Sequence, residues 1–428
     1  MVRNAMRSFC IFSCLLLGSA AVAQQPVREA ATIDRPAVTS ATFVERPIIA
    51  DEDAFVTVRH VRIDGSNFEI GRRLAELGKT RHGYQPSQPE DKQLAAERLE
   101  YFQEKFPAHA ERMRGVAAAF GGDLNAEEST DYSALDYGFV QAGCSVVFYP
   151  PSVTASGKGI LSRNFDFTTG TIEGRKPPQG QPAICEQPYI IELYPDEGYA
   201  SLALVCYDLL GVVDGVNSEC LSVALLADDE LVRRFGVYDG IGPQAGLGVL
   251  QVGRMLLDTC ANVEEAKAAL QSHKLYYAQI PCHYIIADRH GESFVWENNR
   301  EMNGGFVFPG EGQPQATTNF MRFLHDDLAD LPDESHPGGS FNRYRRICAG
   351  WEEHGELLTL AAVKEINGSV AASVPKSNPD AVPGRTIWHS VYVPENRSLE
   401  VDFYVGEPED EGGKIRRSKY FQFQLDRR

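Results

Sequence analysis

The chain has 428 residues and a formal net charge of −18, with 43% apolar and 23% charged side chains. That apolar content can fill a large buried core, and the acidic excess excludes the broad basic surface that nucleic acid or anionic membrane requires. After the N-terminus no stretch is long and apolar enough to read as a membrane span.

Residues 1–23 carry Arg3 and Arg7, a short apolar run from Phe9 to Leu17 and a small-x-small site at Ala21-Val22-Ala23. This reads as a signal peptide and implies export to a periplasmic or extracellular space, with a bacterial exporter expected. The oxidising compartment allows up to three disulfides among Cys185, Cys206, Cys220, Cys260, Cys282 and Cys348, with burial as small apolar groups an equal alternative. Its removal takes the charge to about −20, because both lost charges are arginines. Residues 24–50, rich in Ala, Pro, Thr and Gln without periodicity, read as a flexible leader. Alternation over residues 56–63 predicts the first strand. Ser66-Asn67-Phe68-Glu69 is a capping box that opens a helix, with Gly78 as its expected end. A second helical stretch covers residues 91–120, broken at Pro107 and closed by Gly121-Gly122. Residues 51–143 therefore read as a mostly helical segment.

From Cys144 the texture changes. Strands are predicted at residues 144–149, 160–167, 189–194, 199–206 and 220–227, between Pro- and Gly-rich turns. Helices follow at 247–260 and 263–272, the second capped by Asn262 with Glu265. A hairpin over 284–297 turns at Asp288-Arg289-His290-Gly291, Ser340 starts another helix, and a last hairpin covers 386–405. Strands, helices and strands again over 144–428 predict a layered α+β domain.

Gly143-Cys144 at the start of a strand is the most informative pair. A cysteine thiol has a pKa near 8.5 and an α-amine one near 8, so an amine on the same residue could serve the thiol as base at neutral pH. That device requires cleavage of the Gly143-Cys144 bond, and glycine leaves room for the attacking sulfur. Arg163-Asn164-Phe165-Asp166 on the next strand offers a cation for a thiolate or oxyanion and a carboxylate for a freed ammonium. Strict alternation puts Arg163 and Asp166 on opposite faces, so a bulge or strand end is needed for both to serve. Asn319, in Thr317-Thr318-Asn319, is a candidate oxyanion donor, and Arg343, in the helix from Ser340, a candidate inward cation. Taken singly, these residues also fit a buried thiol, a surface ion pair, a turn and a solvated helix face.

The order of these motifs resembles the N-terminal-nucleophile hydrolases, and most closely the acyl-coenzyme A:6-aminopenicillanic acid acyltransferase-like group, peptidase family C45. Choloylglycine hydrolases and penicillin V acylases look like more distant relatives. Phe68-Glu69-Ile70-Gly71-Arg72 and Gly115-Val116-Ala117-Ala118 resemble the group's pro-region, so the likeness covers residues 55–405. The resemblance implies a four-layer αββα sandwich, self-cleavage before Cys144 and hydrolysis or transfer of an acyl group from a linear amide. It implies Cys144 as nucleophile, Arg163 and Asp166 as the flanking pair, Asn319 as oxyanion donor and Arg343 as a structural cation. The expected partner is a small N-acyl amide, with no cofactor and no metal, and the cleaved pieces would form a heterodimer. One departure stands out: relatives that cleave bile salts or penicillin V place a second oxyanion donor, an asparagine or tyrosine, on the strand after an Asn-rich turn, and counting from Asn217 gives Ala227, with Asp228 next.

Two rival patterns are weaker. Gly240-Ile241-Gly242 with Gly246 and Gly248 lacks phosphate-binding spacing and reads as a helix start. Cys282-His283 with Asp288 and His290 could ligate a metal, but a hairpin and its turn explain them. A different kind of protein on the same fold, an inactive disulfide-stabilised binding protein, predicts an uncut and unreactive Cys144.

Overall fold

Strands that are apolar on both faces must lie between layers, and the chain supplies many of them. The structure, a computed structural model, describes residues 42–426 apart from 87–90, 125–129, 137–142, 172–174, 179–181, 184, 229, 231–243, 278–280, 300–303, 356, 374–381 and 409–412. The strands begin with β1 (Thr42–Ile49), β2 (Val58–Gly65), β3 (Gly143–Tyr149), β4 (Ile160–Thr168), β5 (Tyr189–Pro195), β6 (Ser201–Val205), β7 (Asp214–Asn217) and β8 (Ser222–Ala227). They continue with β9 (Cys282–Ala287), β10 (Ser293–Asn299), β11 (Gly304–Pro309), β12 (Gln315–Thr317), β13 (Gly384–Val393), β14 (Ser398–Gly406), β15 (Arg416–Arg417) and β16 (Phe421–Gln424). The helices are α1 (Asn67–His82), α2 (Lys92–Lys105), α3 (Pro107–Ala119), α4 (Val249–Thr259), α5 (Val263–Ser272), α6 (Ser340–His354) and α7 (Leu360–Gly368).

One sheet of nine strands runs β1-β2-β5-β6-β7-β8-β9-β10-β11, and a second runs β12-β3-β4-β13-β14-β15, with β16 on β14. The sheets face each other where β3 packs on β8, α1, α4 and α5 cover the first sheet, and α6 and α7 cover the second. This is the expected αββα sandwich. β3 shows the period-2 logic: Cys144, Val146 and Phe148 enter the large core between the sheets, while Val147 and Tyr149 enter a smaller one under α6 and α7.

The segment before Cys144 is built into the first sheet rather than placed beside it. β2 pairs in parallel with β5, from Arg59 against Tyr189 to Gly65 against Pro195. α1 and α3 cross at two glycines of the pro-region motifs. A Cβ on Gly71 would lie 2.0 Å from the Arg112 carbonyl oxygen, and one on Gly115 would lie 2.0 Å from that of Phe68. Backbone meets backbone there, so neither position has a flexible neighbour that could yield.

Local chemistry fixes most helix ends as expected. Ser66, Asp91 and Asn262 each accept the N–H of the residue three further on, and Pro107 opens α3. The expected end of α1 at Gly78 is wrong. Gly78 is buried within the helix with Leu209 Cδ1 3.4 Å from where its Cβ would be, and the stop is Gly83 at φ 63°. Packing there outweighs the roughly 1 kcal/mol that an interior glycine costs. The leader also ends earlier than expected, because residues 42–49 are β1, paired antiparallel with β2. Its exposed edge position lets charged residues and Pro47 alternate with apolar ones, which hides the strand signal.

The expected signal peptide and the expected leader up to residue 41 lie outside the described residues. The disulfide expectation is not met: none of Cys185, Cys206, Cys220, Cys260, Cys282 and Cys348 is joined in a disulfide, and all but Cys348 are buried. No described helix is long and apolar enough to cross a membrane.

Gly71→Ala should force α1 and α3 apart and destabilise the protein by about 1–3 kcal/mol. A melting temperature equal to wild type would show that the helices do not meet backbone to backbone there.

Candidate active site

β3 begins at Gly143, with Asp166 of β4 opposite Gly143 and Phe165 opposite Cys144. On the other side of β3, β12 ends with Thr317 opposite Val146. The antiparallel register then brings Thr318 and Asn319 level with Ser145 and Cys144. The first turn of α6 packs over this point, where Thr318 Oγ1 lies 2.9 Å from both the Ser340 carbonyl oxygen and its hydroxyl. These pairings bring together all five residues singled out in the sequence, although up to 199 positions separate them.

Cys144 is buried, with 1% of its surface exposed. Its Sγ accepts from Arg163 Nη2 at 3.2 Å, and its main-chain N–H donates to Asn319 Oδ1 at 2.6 Å. Arg343 donates from Nη1 to the Cys144 carbonyl oxygen, from Nη2 to Asn319 Oδ1 at 2.7 Å and from Nε to the Gly338 carbonyl oxygen at 3.0 Å. Asp166 Oδ2 lies 3.7 Å from Arg343 Nη1, and Asp166 Oδ1 accepts from Thr386 Oγ1. Asn319 Nδ2 donates to the Ala227 carbonyl oxygen at 2.7 Å.

The alternation problem is solved by the position of Cys144 at a strand start. Arg163 and Asp166 do point to opposite faces, Arg163 between the sheets and Asp166 toward α6. The side chain of Cys144 uses one face and its main chain meets groups anchored on the other, so β4 needs no bulge. The irregularity lies instead in β13, where Ile387 is skipped between the pairs Thr386–Asp166 and Trp388–Phe165.

Burial pushes the Cys144 thiol up, with Arg163 pulling it back down, so the thiol is protonated at neutral pH while Gly143 remains attached. Burial also raises Asp166, against the pull of Arg343, the Thr386 hydroxyl and Arg163. With its main-chain nitrogen in a peptide bond, Cys144 has no base of its own.

Several neighbours were not singled out by sequence. Asp214 on β7 accepts from Arg163 Nη1 at 2.5 Å, from Trp388 Nε1 at 3.2 Å and from Tyr392 OH at 2.6 Å. The available signal was an acid inside the apolar run Leu209-Leu210-Gly211-Val212-Val213-Asp214-Gly215-Val216, since a buried carboxylate needs partners. Asn217, the counting point for a second donor, closes a turn by accepting from Glu219 and Leu221 N–H groups. Ala227 brings a carbonyl to the site rather than a donor. His283 is buried, lies 3.0 Å from Thr317 Oγ1 and is pushed down to about 4 by burial. Among the described residues, no three His, Cys, Asp or Glu side chains are placed to hold a metal ion. Gly240 and Gly242 lie outside the described residues, and Gly248 caps α4.

Residues 153–410 match the family model described as acyl-coenzyme A:6-aminopenicillanic acid acyl-transferase. The chain belongs to that family. The matched span takes in Arg163, Asp166, Asn319 and Arg343 and opens just after Cys144. It is the family whose motif order the sequence resembles, and its description is that of an acyltransferase enzyme. A search of curated proteins gave no match. Among solved structures, a mutant of the conjugated bile acid hydrolase from Clostridium perfringens is similar at 15% identity and TM-score 0.43, covering 67% of this chain and 97% of that one. Penicillin V acylase from Agrobacterium tumefaciens is 17% identical at TM-score 0.38, covering 61% and 82% respectively. The Caenorhabditis elegans ortholog of N-acylethanolamine-hydrolyzing acid amidase is 16% identical at TM-score 0.37, covering 66% and 100%.

Arg343→Met should leave the Asp166 carboxylate buried without its cation and cost about 3 kcal/mol. Denaturant unfolding measures this, and a midpoint equal to wild type would mean that the contact contributes nothing.

Proposed function

We propose that this chain is an exported, self-processing cysteine amidohydrolase that cleaves a linear C–N amide through an acyl-enzyme on Cys144. The observation that carries this reading is the convergence on one residue. Arg163 approaches its sulfur at 3.2 Å, and Asn319 holds its own main-chain nitrogen at 2.6 Å. An ordinary buried cysteine needs neither contact. The N-terminal Arg3, Arg7 and Ala21-Val22-Ala23 pattern supports export.

Processing would begin with attack of the Cys144 sulfur on the Gly143 carbonyl carbon. The carbonyl moves from nitrogen to sulfur, and water then cleaves the thioester to leave a Gly143 carboxylate and a free amine on Cys144. Asp166 and Asn319 Oδ1 are placed to orient that amine, whose ordinary pKa near 8 suits a base. In turnover the amine takes the thiol proton as sulfur attacks the substrate carbonyl. The resulting ammonium gives that proton to the departing amine, and water releases the acyl group. Asn319 Nδ2 can serve as oxyanion donor when the substrate oxygen replaces the Ala227 carbonyl as its acceptor. Cleavage would leave two chains held together by the shared sheet, because β2 stays paired with β5.

Cys144→Ala should lower turnover of a responsive N-acyl amide by on the order of a thousandfold or more. Retained turnover would remove Cys144 as the nucleophile. The family matched is named for acyl transfer, which favours a second reading in which an amine replaces water in the last step. Added acceptor amine would then divert product to a new amide in proportion to its concentration, whereas a strict hydrolase would release only the free acid.

A further inference from the structure

We propose that Asp214 is the positioning residue that sets Arg163 against the Cys144 sulfur, a role that rests on the reading of Cys144 as nucleophile. Asp214 is fully buried and Arg163 is 1% exposed, so neither charge can be solvated and each must be met by the other. They belong to different sheets: β7 lies in the nine-stranded one and β4 in the other. The three donors on Asp214 come from Arg163, Trp388 and Tyr392, all on the second sheet. Trp388 and Tyr392 fix where the carboxylate lies, and the carboxylate fixes Nη1 of Arg163. A planar guanidinium held at one end has its other nitrogens placed as well. Nη2 accordingly reaches Cys144 Sγ at 3.2 Å and the Leu225 carbonyl oxygen at 2.9 Å. The rings of Phe165 and Trp388, stacked 3.9 Å apart, close off the space into which the guanidinium could swing, its Cζ lying 4.7 Å from the first centroid and 5.6 Å from the second.

Charge alone and position make opposite predictions. Removing the negative charge of Asp214 while Arg163 stays in place favours the thiolate and lowers the thiol pKa. Loss of the anchor takes Nη2 away from the sulfur and raises it. The other groups facing Cys144 are Asp166 from β4, Arg343 from α6, and Cys185 and Tyr207 from the segments flanking β5 and β6. None of them is altered in the test.

The test is an ultraviolet titration of thiolate absorbance, with Cys144→Ala subtracted, on wild type and Asp214→Asn. It needs neither substrate nor reagent access. The expected result is a thiol pKa higher by about one unit in Asp214→Asn. A lower or unchanged value would overturn the proposal, an unchanged one leaving Asp214 a purely structural residue. If Asp214→Asn does not fold, Tyr392→Phe removes one of the bonds that place the carboxylate. It should shift the thiol in the same direction by a smaller amount, and no shift there would count equally against the proposal. Because the titration reads Cys144 directly, a raised pKa in a protein without amidase turnover would uphold the anchoring and reject only the catalytic reading.

Discussion

Two buried arginines govern the architecture around Cys144. A guanidinium cannot be left without partners in an interior, so Arg163 and Arg343 each demand a carboxylate and several acceptors in fixed places. Arg163 finds Asp214 across the gap between the sheets, and Arg343 of α6 finds Asp166 on β4 beneath that helix. Each also donates to Cys144, to its sulfur in one case and its carbonyl oxygen in the other. The nucleophile candidate is thus clamped from two faces by cations that are already neutralised. Position, more than net charge, is what the clamp provides.

The same constraint makes the segment before Cys144 part of the enzyme body. β2 completes the parallel pair with β5, and the α1–α3 crossing depends on two glycines that let backbones touch. Arg112 of α3 pairs with Asp258 of α4, both fully buried, and Arg98 of α2 donates to Ser133 and Tyr276. A cut before Cys144 would sever the chain at the start of a central strand and leave all of these contacts intact. A segment with such contacts would stay in place after the cut as a subunit and not leave as a removed leader.

Much of this was legible from sequence because it rests on local chemistry or on two-sided burial. Ser66, Asp91, Asn262 and Pro107 mark helix starts through their own side chains, and β3 reads as a strand because its run Val146-Val147-Phe148-Tyr149 is apolar on both faces. The five site residues were legible as a set only through their order along the chain, since none stands out alone. What stayed hidden depends on distant pairing. β1 is a charged edge strand held by β2, β7 has only four residues, and Gly78 looks like a helix end until Leu209 packs beside it. Asp214 was invisible as a site residue because its partners lie on strands 51 and 174 positions or more away. The disulfide expectation followed from the inferred compartment and cysteine count, whereas five of those six thiols are buried without a disulfide.

The central claim is that Cys144 becomes the first residue of a chain by attacking the bond before it. The intact mass of purified protein under denaturing, reducing conditions, measured beside Cys144→Ala, tests it most directly. The account predicts two wild-type polypeptides, one ending at Gly143 and one running from Cys144, with the mutant left as a single chain. A wild-type protein that also stays as one chain would contradict it, leaving Cys144 a buried thiol without an amine.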